Sequence, residues 1–519
     1  MTIIRPLCIV ALFLTCFAPL TYGQRQATVE EQRQQGLLQK QSDDKTPALR
    51  LAGVFGSKMV LQQQTDAPIW GMAKPGEPVW VSGSWNQAIS KTTANASGRW
   101  QTTLKTPAAG DTPYNVVVKA GSDTVKLDDV LIGEVWICSG QSNMQWKMRG
   151  FGPTYFGEAV AKANQPTIRY CEVPQALALE AQDDVQTRWS VCNPKTVLTY
   201  SAVAYFFANR LQKDLNVPIG LISTNWGGSP AEAWVREEII ASDFPEFDET
   251  RKQYPALMKE FGVVHARSAK MPKGIKHGLP SVLYNNMIHP LVPFAFRGVI
   301  WYQGESNVEK PAQYQKLFPA LIESWREEWN QGDFPFYFVQ IAPFKYGYTK
   351  VPAALLREAQ LKTLSVPNTG MVVTMDIGDE TNIHPKEKRP VGERLALIAL
   401  ARDYGRKGLV YSGPIYKGHQ IVSDQIQIQF QHVGSGLASR DGKPLSHFTI
   451  AGKDNVFVPA EAVIQGDSIF VHSDQVQHPT NVRFAWGNAD RPNLMNREGL
   501  PASSFRTDNL STHLGNGIE

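Results

Sequence analysis

Between residues 130 and 407, five short apolar runs alternate with stretches of helical period, and this alternation restricts the fold more than any other feature of the chain. The runs cover residues 132–138, 219–224, 298–302, 336–341 and 370–375. Residues 202–215, 313–329, 353–364 and 386–404 carry apolar side chains at helical spacing, with Phe206, Phe207 and Leu211 on one face of the first. Strands that read as unbroken apolar runs are buried on both faces, so the expectation is a parallel sheet covered by helices on both sides. Four of the runs end in turns rich in glycine, carboxamides or carboxylates: Gly140-Gln-Ser-Asn143, Asn225-Trp-Gly-Gly-Ser-Pro230, Gln303-Gly-Glu-Ser-Asn307 and Asp376-Ile-Gly-Asp379. Ligands of open α/β sheets bind outside the carboxyl ends of the strands, which brings all four turns to one edge.

The flanks have a different texture. Residues 48–129 and 408–519 hold short alternating runs such as Pro78-Val-Trp-Val-Ser-Gly-Ser-Trp85, Tyr114-Asn-Val-Val-Val-Lys119, Gln425-Ile-Gln-Ile-Gln-Phe430 and Asn481-Val-Arg-Phe-Ala-Trp486, separated by turn residues. They predict a β-sandwich domain before the α/β domain and a second β domain after it. A chain of 519 residues is long enough for that division. Its 52 basic and 48 acidic residues are dispersed and sum to a formal charge of +4. Nucleic-acid binding has no footing in that balance, and a small molecule or glycan is the expected partner.

Residues 1–23 begin with Arg5, run apolar from Leu7 to Leu20 and close on Thr21-Tyr22-Gly23. This is the pattern of a secretory signal peptide, too short for a membrane span. It predicts export to the periplasm or the extracellular space, a polar leader at residues 24–47 and no membrane span in the mature chain. Cys8 and Cys16 leave with the signal, and Leu14-Thr15-Cys16 is a poor lipoprotein site because of its threonine. Cys171 and Cys192 are close enough in sequence to close a short loop in an oxidising compartment. Cys138, inside the first apolar run, is expected in the core. No Cys/His grouping has zinc spacing, and the chemistry of the turns calls for no metal or cofactor.

A hydroxyl, amide donors, carboxylates and an imidazole in converging turns describe acyl transfer through a serine ester. Ser142 is the candidate nucleophile; a helix N-cap serine is the competing role, and Gly140-Gln-Ser-Asn-Met144 does not match the Gly-x-Ser-x-Gly elbow. Of ten histidines, His384 has the best setting for a base, with Asp379 or Asp376 available to orient its ring. His289, in Met287-Ile-His-Pro290, echoes it but precedes an apolar run and is read as structural. The backbone amides of Ser142 and Gly228 and the side chain of Gln303 are candidate oxyanion donors, a tight turn being the competing role of the glycines. Glu305 with Asp379 suits glycosidase chemistry but leaves Ser142 and His384 without a role. Trp226 and Trp301 are candidates for stacking on a sugar, and Arg149 and Arg236 for holding an acidic group, against core packing and surface solubility.

Gly140-Gln-Ser-Asn-Met144, Trp301-Tyr-Gln-Gly-Glu-Ser-Asn307 and Asp376-Ile-Gly-Asp379 followed by Ile383-His384-Pro385 resemble the motifs of the sialate O-acetylesterases, a branch of the SGNH hydrolases. Val60-Leu-Gln62, the turn at 227–230 and the tail Gly499-Leu-Pro-Ala-Ser-Ser-Phe-Arg-Thr-Asp508 extend the resemblance over most of the mature chain. It implies an α/β fold, a three-layer SGNH-hydrolase-like (flavodoxin-like) parallel sheet domain with flanking β-sandwich domains. The implied activity is metal-free removal of acetyl groups from 9-O-acetylated sialic acid. The nucleophile carries to Ser142, the base to His384, and oxyanion donors to Gly228 and Gln303. SGNH enzymes place an aspartate three residues before the histidine, where this chain has Thr381. The orienting group is then Asp379 or Asp376, or the site is a Ser/His dyad. Related esterases act on xylan or pectin with the same machinery, and a non-catalytic exported carbohydrate-binding protein is the remaining class.

Overall fold

The computed structural model describes residues 49–510 apart from 153, 267–270 and 348–351; the expected signal peptide, leader and Cys16 site lie outside the described residues. A central mixed sheet contains β1 (Asp123–Gly140), β2 (Gln165–Glu172), β3 (Trp189–Cys192), β4 (Ile219–Asn225), β5 (Gly298–Tyr302), β6 (Phe336–Val339) and β7 (Thr369–Val372), in the order β3-β2-β4-β1-β5-β6-β7. All neighbours run parallel except β3, which is antiparallel to β2. β2 and β3 add to the five expected strands. The polar run Gln165-Pro-Thr-Ile-Arg-Tyr-Cys-Glu172 hides its strand because Arg169 is buried with its charge paired by two 2.9 Å bonds to the Asp129 carboxylate.

Five helices matter for the site: α1 (Ser142–Gln145), α2 (Ala202–Leu215), α3 (Pro311–Trp329), α4 (Ala353–Lys362) and α5 (Lys388–Arg402). Alternate strand residues face opposite sides. Trp136, Cys138, Leu221, Ile300 and Tyr337 pack with the apolar faces of α2 and α5. Val135, Ile137, Ile222, Trp301 and Phe338 pack with those of α3 and α4. Where α5 meets α2, a Cβ on Gly392 would lie 2.6 Å from the Val203 carbonyl oxygen and 2.7 Å from the Phe207 amide nitrogen, so glycine sets the approach of the two helices.

The domain boundary expected at residues 129 and 130 falls inside β1. This strand of 18 residues is half-exposed in its first part and fully buried from Val130 onward. It pairs antiparallel with Gly110–Ala120 before entering the central sheet between β4 and β5. The change of texture that reads as a boundary is thus a change of burial along one strand. Beyond α5, four-stranded sheets carry the alternating segments after residue 408, with Glu461–Gln465 and Ser468–His472 paired as a hairpin. These sheets are tied to α4 by Arg357, which is fully buried and donates to the carbonyls of Ala485 and Gly487 and to Ser504 Oγ.

Cys171 and Cys192 are free and buried. Antiparallel pairing sets Cys171 opposite Trp189 and Cys192 opposite Gln165, which keeps the two sulfurs apart and rules out the short disulfide loop. No helix of the described residues is long and apolar enough to cross a membrane. Gly392→Ala is expected to cost about 2 kcal/mol through overpacking against α2. A thermal unfolding midpoint lower than that of the wild type checks it.

Candidate active site

The parallel ladder sets Asn225, Gly140, Tyr302, Val339 and Val372 side by side, so the strands that feed the site end at one level. Gly140 has φ 132°, and a Cβ there would lie 2.2 Å from the Tyr302 carbonyl oxygen. Only glycine lets β1 leave the sheet so close to β5. Gln141 occupies the N-cap of α1, which frees the Ser142 hydroxyl from the capping role. That hydroxyl lies 2.8 Å from His384 Nε2. His384 is steered by its backbone N–H, which donates to Asn382 Oδ1 at 2.9 Å, and by the Trp146 ring 5.3 Å away. Burial lowers the imidazole pKa below 6.5, and the Lys388 charge lowers it further, so the ring is neutral and able to take a proton at neutral pH.

Two backbone donors in the adjoining turns are open. The N–H groups of Ser142 and Gly228 have no acceptor among the described residues, and Gly228 adopts φ 77° in its turn. The turn is held close: Gly227 N–H donates to Gln145 Oε1 at 2.6 Å, and a Cβ on Gly227 would lie 3.3 Å from Ser142 Cβ. Gln303 does not complete this pair. Its Nε2 donates to Asn307 Oδ1 at 2.7 Å and to the Ser229 carbonyl at 3.3 Å, which uses both protons of the carboxamide.

Neither expected carboxylate reaches the imidazole. Asp376 forms a bidentate pair with Arg394, at 2.8 and 2.6 Å. Asp379 Oδ1 caps its own turn, accepting from Thr381 N, Thr381 Oγ1 and Asn382 N. Glu305 is enclosed, with Oε1 accepting from Asn143 at 2.5 Å, and is not open to a substrate as a glycosidase acid or a sugar contact requires. Trp301 is fully buried among Trp234, Trp325 and Phe318, so it cannot stack on a sugar. Trp226 is buried and stacked on the His277 ring. Arg236 is held by Glu238, Glu327 and Glu328, and Arg149 is exposed just beyond α1. His289 Nδ1 bonds the Gln182 carbonyl at 2.8 Å, in keeping with a structural part.

A hydroxyl beside a neutral imidazole, with two amide donors left unbonded among the described residues of the adjoining turns, suits attack on an ester carbonyl. The profile of the carbohydrate esterase, sialic acid-specific acetylesterase family matches residues 132–401. The chain belongs to that family. Human sialate O-acetylesterase is 33% identical over 73% of this chain and 78% of its own length, and the mouse sialate O-acetylesterase is 31% identical over 74% and 80%. A crystal structure of a carbohydrate acetylesterase from Xanthomonas citri superposes with a TM-score of 0.78 at 37% identity, covering 89% of this chain and 100% of that one.

The esterase site contains residues that sequence reasoning passed over. Gln141, Asn143 and Gln145 stand in or beside the serine motif but act in the structure through side-chain bonds to other turns. Lys388 is buried and bonded to Asn143. A signal for it was present: Lys388, Val391, Leu395 and Ile398 fall on one helical face, and a lysine in that series has to be buried.

Two outcomes are expected. The acid limb of kcat/KM on p-nitrophenyl acetate lies below pH 6.5, because the active species is the neutral imidazole and its pKa is depressed. Asp379→Asn keeps kcat within about threefold of wild type, whereas an aspartate of a triad would cost on the order of ten-thousandfold.

Proposed function

We propose that this esterase removes O-acetyl groups from sialic acids through an acetyl-enzyme on Ser142. Ser142 Oγ attacks the acetyl carbonyl as His384 Nε2 takes its proton. The N–H groups of Ser142 and Gly228 hold the oxyanion of the tetrahedral intermediate. His384 then returns the proton to the departing sugar oxygen, and water repeats the cycle on the acetyl-serine. The observation that carries the reading is the 2.8 Å approach of Ser142 Oγ to His384 Nε2. The likeness to the human and mouse sialate O-acetylesterases supplies the substrate.

The frame belongs to the same reading: a three-layer, flavodoxin-like SGNH domain flanked by β-sandwich domains. The strand order β4-β1-β5-β6-β7 supports it, being the 2-1-3-4-5 order of doubly wound sheets. Export rests on the apolar run from Leu7 to Leu20. A second substrate, an acetylated plant polysaccharide, draws support from the Xanthomonas citri neighbour, a carbohydrate acetylesterase.

Acetate release is expected to be faster from O-acetylated sialic acid than from acetylated xylan at matched acetyl concentration. The reverse order moves the assignment to the polysaccharide. Ser142→Ala is expected to lower kcat on the order of a thousandfold or more with the fold intact. Near-native turnover by the folded variant removes the serine mechanism.

A further inference from the structure

Behind His384 lies a buried chain of polar side chains that the reaction above leaves unused. The Asn143 carboxamide is its centre. Oδ1 accepts from Lys388 Nζ at 2.5 Å, while Nδ2 donates to Glu305 Oε1 at 2.5 Å and to the Ile383 carbonyl at 3.1 Å. Lys388 is 1% exposed and Glu305 4%, and Glu305 Oε2 is buried without a partner. Lys388 Nζ also lies over the Tyr302 ring, 5.5 Å from its centroid. A carboxamide has one accepting end and one donating end. With an ammonium at the first, both protons of the second are committed, one to Glu305 and one to the residue before His384.

We infer that Lys388 is a positioning residue for the esterase reaction: by holding Asn143 Oδ1 it aims Nδ2 at the Ile383 carbonyl, and so fixes the segment that presents His384 to Ser142. The inference rests on the roles proposed above for Ser142 and His384. It assigns to an amide and a lysine the orienting task that neither Asp376 nor Asp379 performs. Without the ammonium the accepting end of the carboxamide loses its partner, and Asn143 is held only from the side of Glu305 and the Ile383 carbonyl.

A second consequence is electrostatic. Burial lowers the Lys388 pKa to about 7, opposed by Glu305, and the Lys388 charge is the second cause, after burial, of the lowered His384 pKa. Among the described residues, Lys388 is the charged group acting on the imidazole and Glu305 the one acting on Lys388. Loss of the ammonium therefore raises the His384 pKa and moves the acid limb of kcat/KM to higher pH. Exposure of the ring also raises its pKa, because burial is the larger cause of the lowering, so the shift is read in variants that keep the wild-type unfolding midpoint.

The test compares the full-length wild type with Lys388→Met and Lys388→Gln on p-nitrophenyl acetate. Lys388→Met is expected to lower kcat about a hundredfold by misplacing the base, with KM within about twofold. Lys388→Gln restores an N–H donor toward Asn143 and is expected to recover about tenfold of the loss. Both variants shift the acid limb upward. A folded Lys388→Met with near-wild-type kcat and an unshifted limb overturns the inference, as does a loss that Lys388→Gln leaves unrepaired with the limb unmoved. If neither variant folds, the wild type decides: the two Asn143 side-chain amide protons followed by NMR are expected to exchange slowly with solvent, being bonded to Glu305 and to the Ile383 carbonyl. Rapid exchange of both overturns the proposal. Turnover retained by Ser142→Ala marks a failure of the esterase reading itself, which this comparison of lysine variants does not share.

Discussion

The level at which the parallel strands stop is the constraint on which the site depends. Evenly spaced hydrogen bonds hold Asn225, Gly140, Tyr302, Val339 and Val372 in one row, so the chain leaves the sheet from neighbouring points on every strand. Side chains only a few residues past the row can then meet, although Ser142 and His384 are separated by 242 positions. Gly140 is the critical member. It stands between Asn225 and Tyr302 in the row, and any side chain there would collide with the Tyr302 carbonyl.

The turns beyond the row are joined mainly by carboxamides. Gln141 Oε1 accepts from the N–H groups of Gly304 and Ser306, and Gln145 Oε1 from that of Gly227. Asn307 Oδ1 accepts from Ala231 N and Gln303 Nε2, while its Nδ2 donates to Glu232. A carboxamide donates and accepts at once without the desolvation cost of a buried charge, which suits a region with so many backbone N–H groups to satisfy. The amides recurring in the motifs thus brace the turns, and the catalytic bond is formed by the serine and histidine they carry.

Much of this was legible in advance. Five strands and the helices between them follow from runs of buried residues and from helical spacing, because a strand covered on both faces admits few polar side chains. The meeting of the turns follows from parallel topology, and with it the pairing of Ser142 and His384. The strand Gln165–Glu172 escaped because the polar Arg169 it buries is neutralised by Asp129, a partner outside its own segment. Cys171 and Cys192 looked suited to a bond that their antiparallel register forbids.

By itself the amino-acid sequence determined the class of sheet, the edge where the chemistry gathers and the residue types present there. All three depend on local periodicity or on the ends of single strands. Tertiary structure decided which polar groups are already engaged. Asp376 is spent on Arg394, Asp379 on its own turn and Gln303 on Asn307, and a lysine on the buried face of a helix is bonded to the asparagine beside the nucleophile. A hydrogen-bond partner is chosen by distance and direction between segments far apart in the chain, and neither quantity is written in the order of residues.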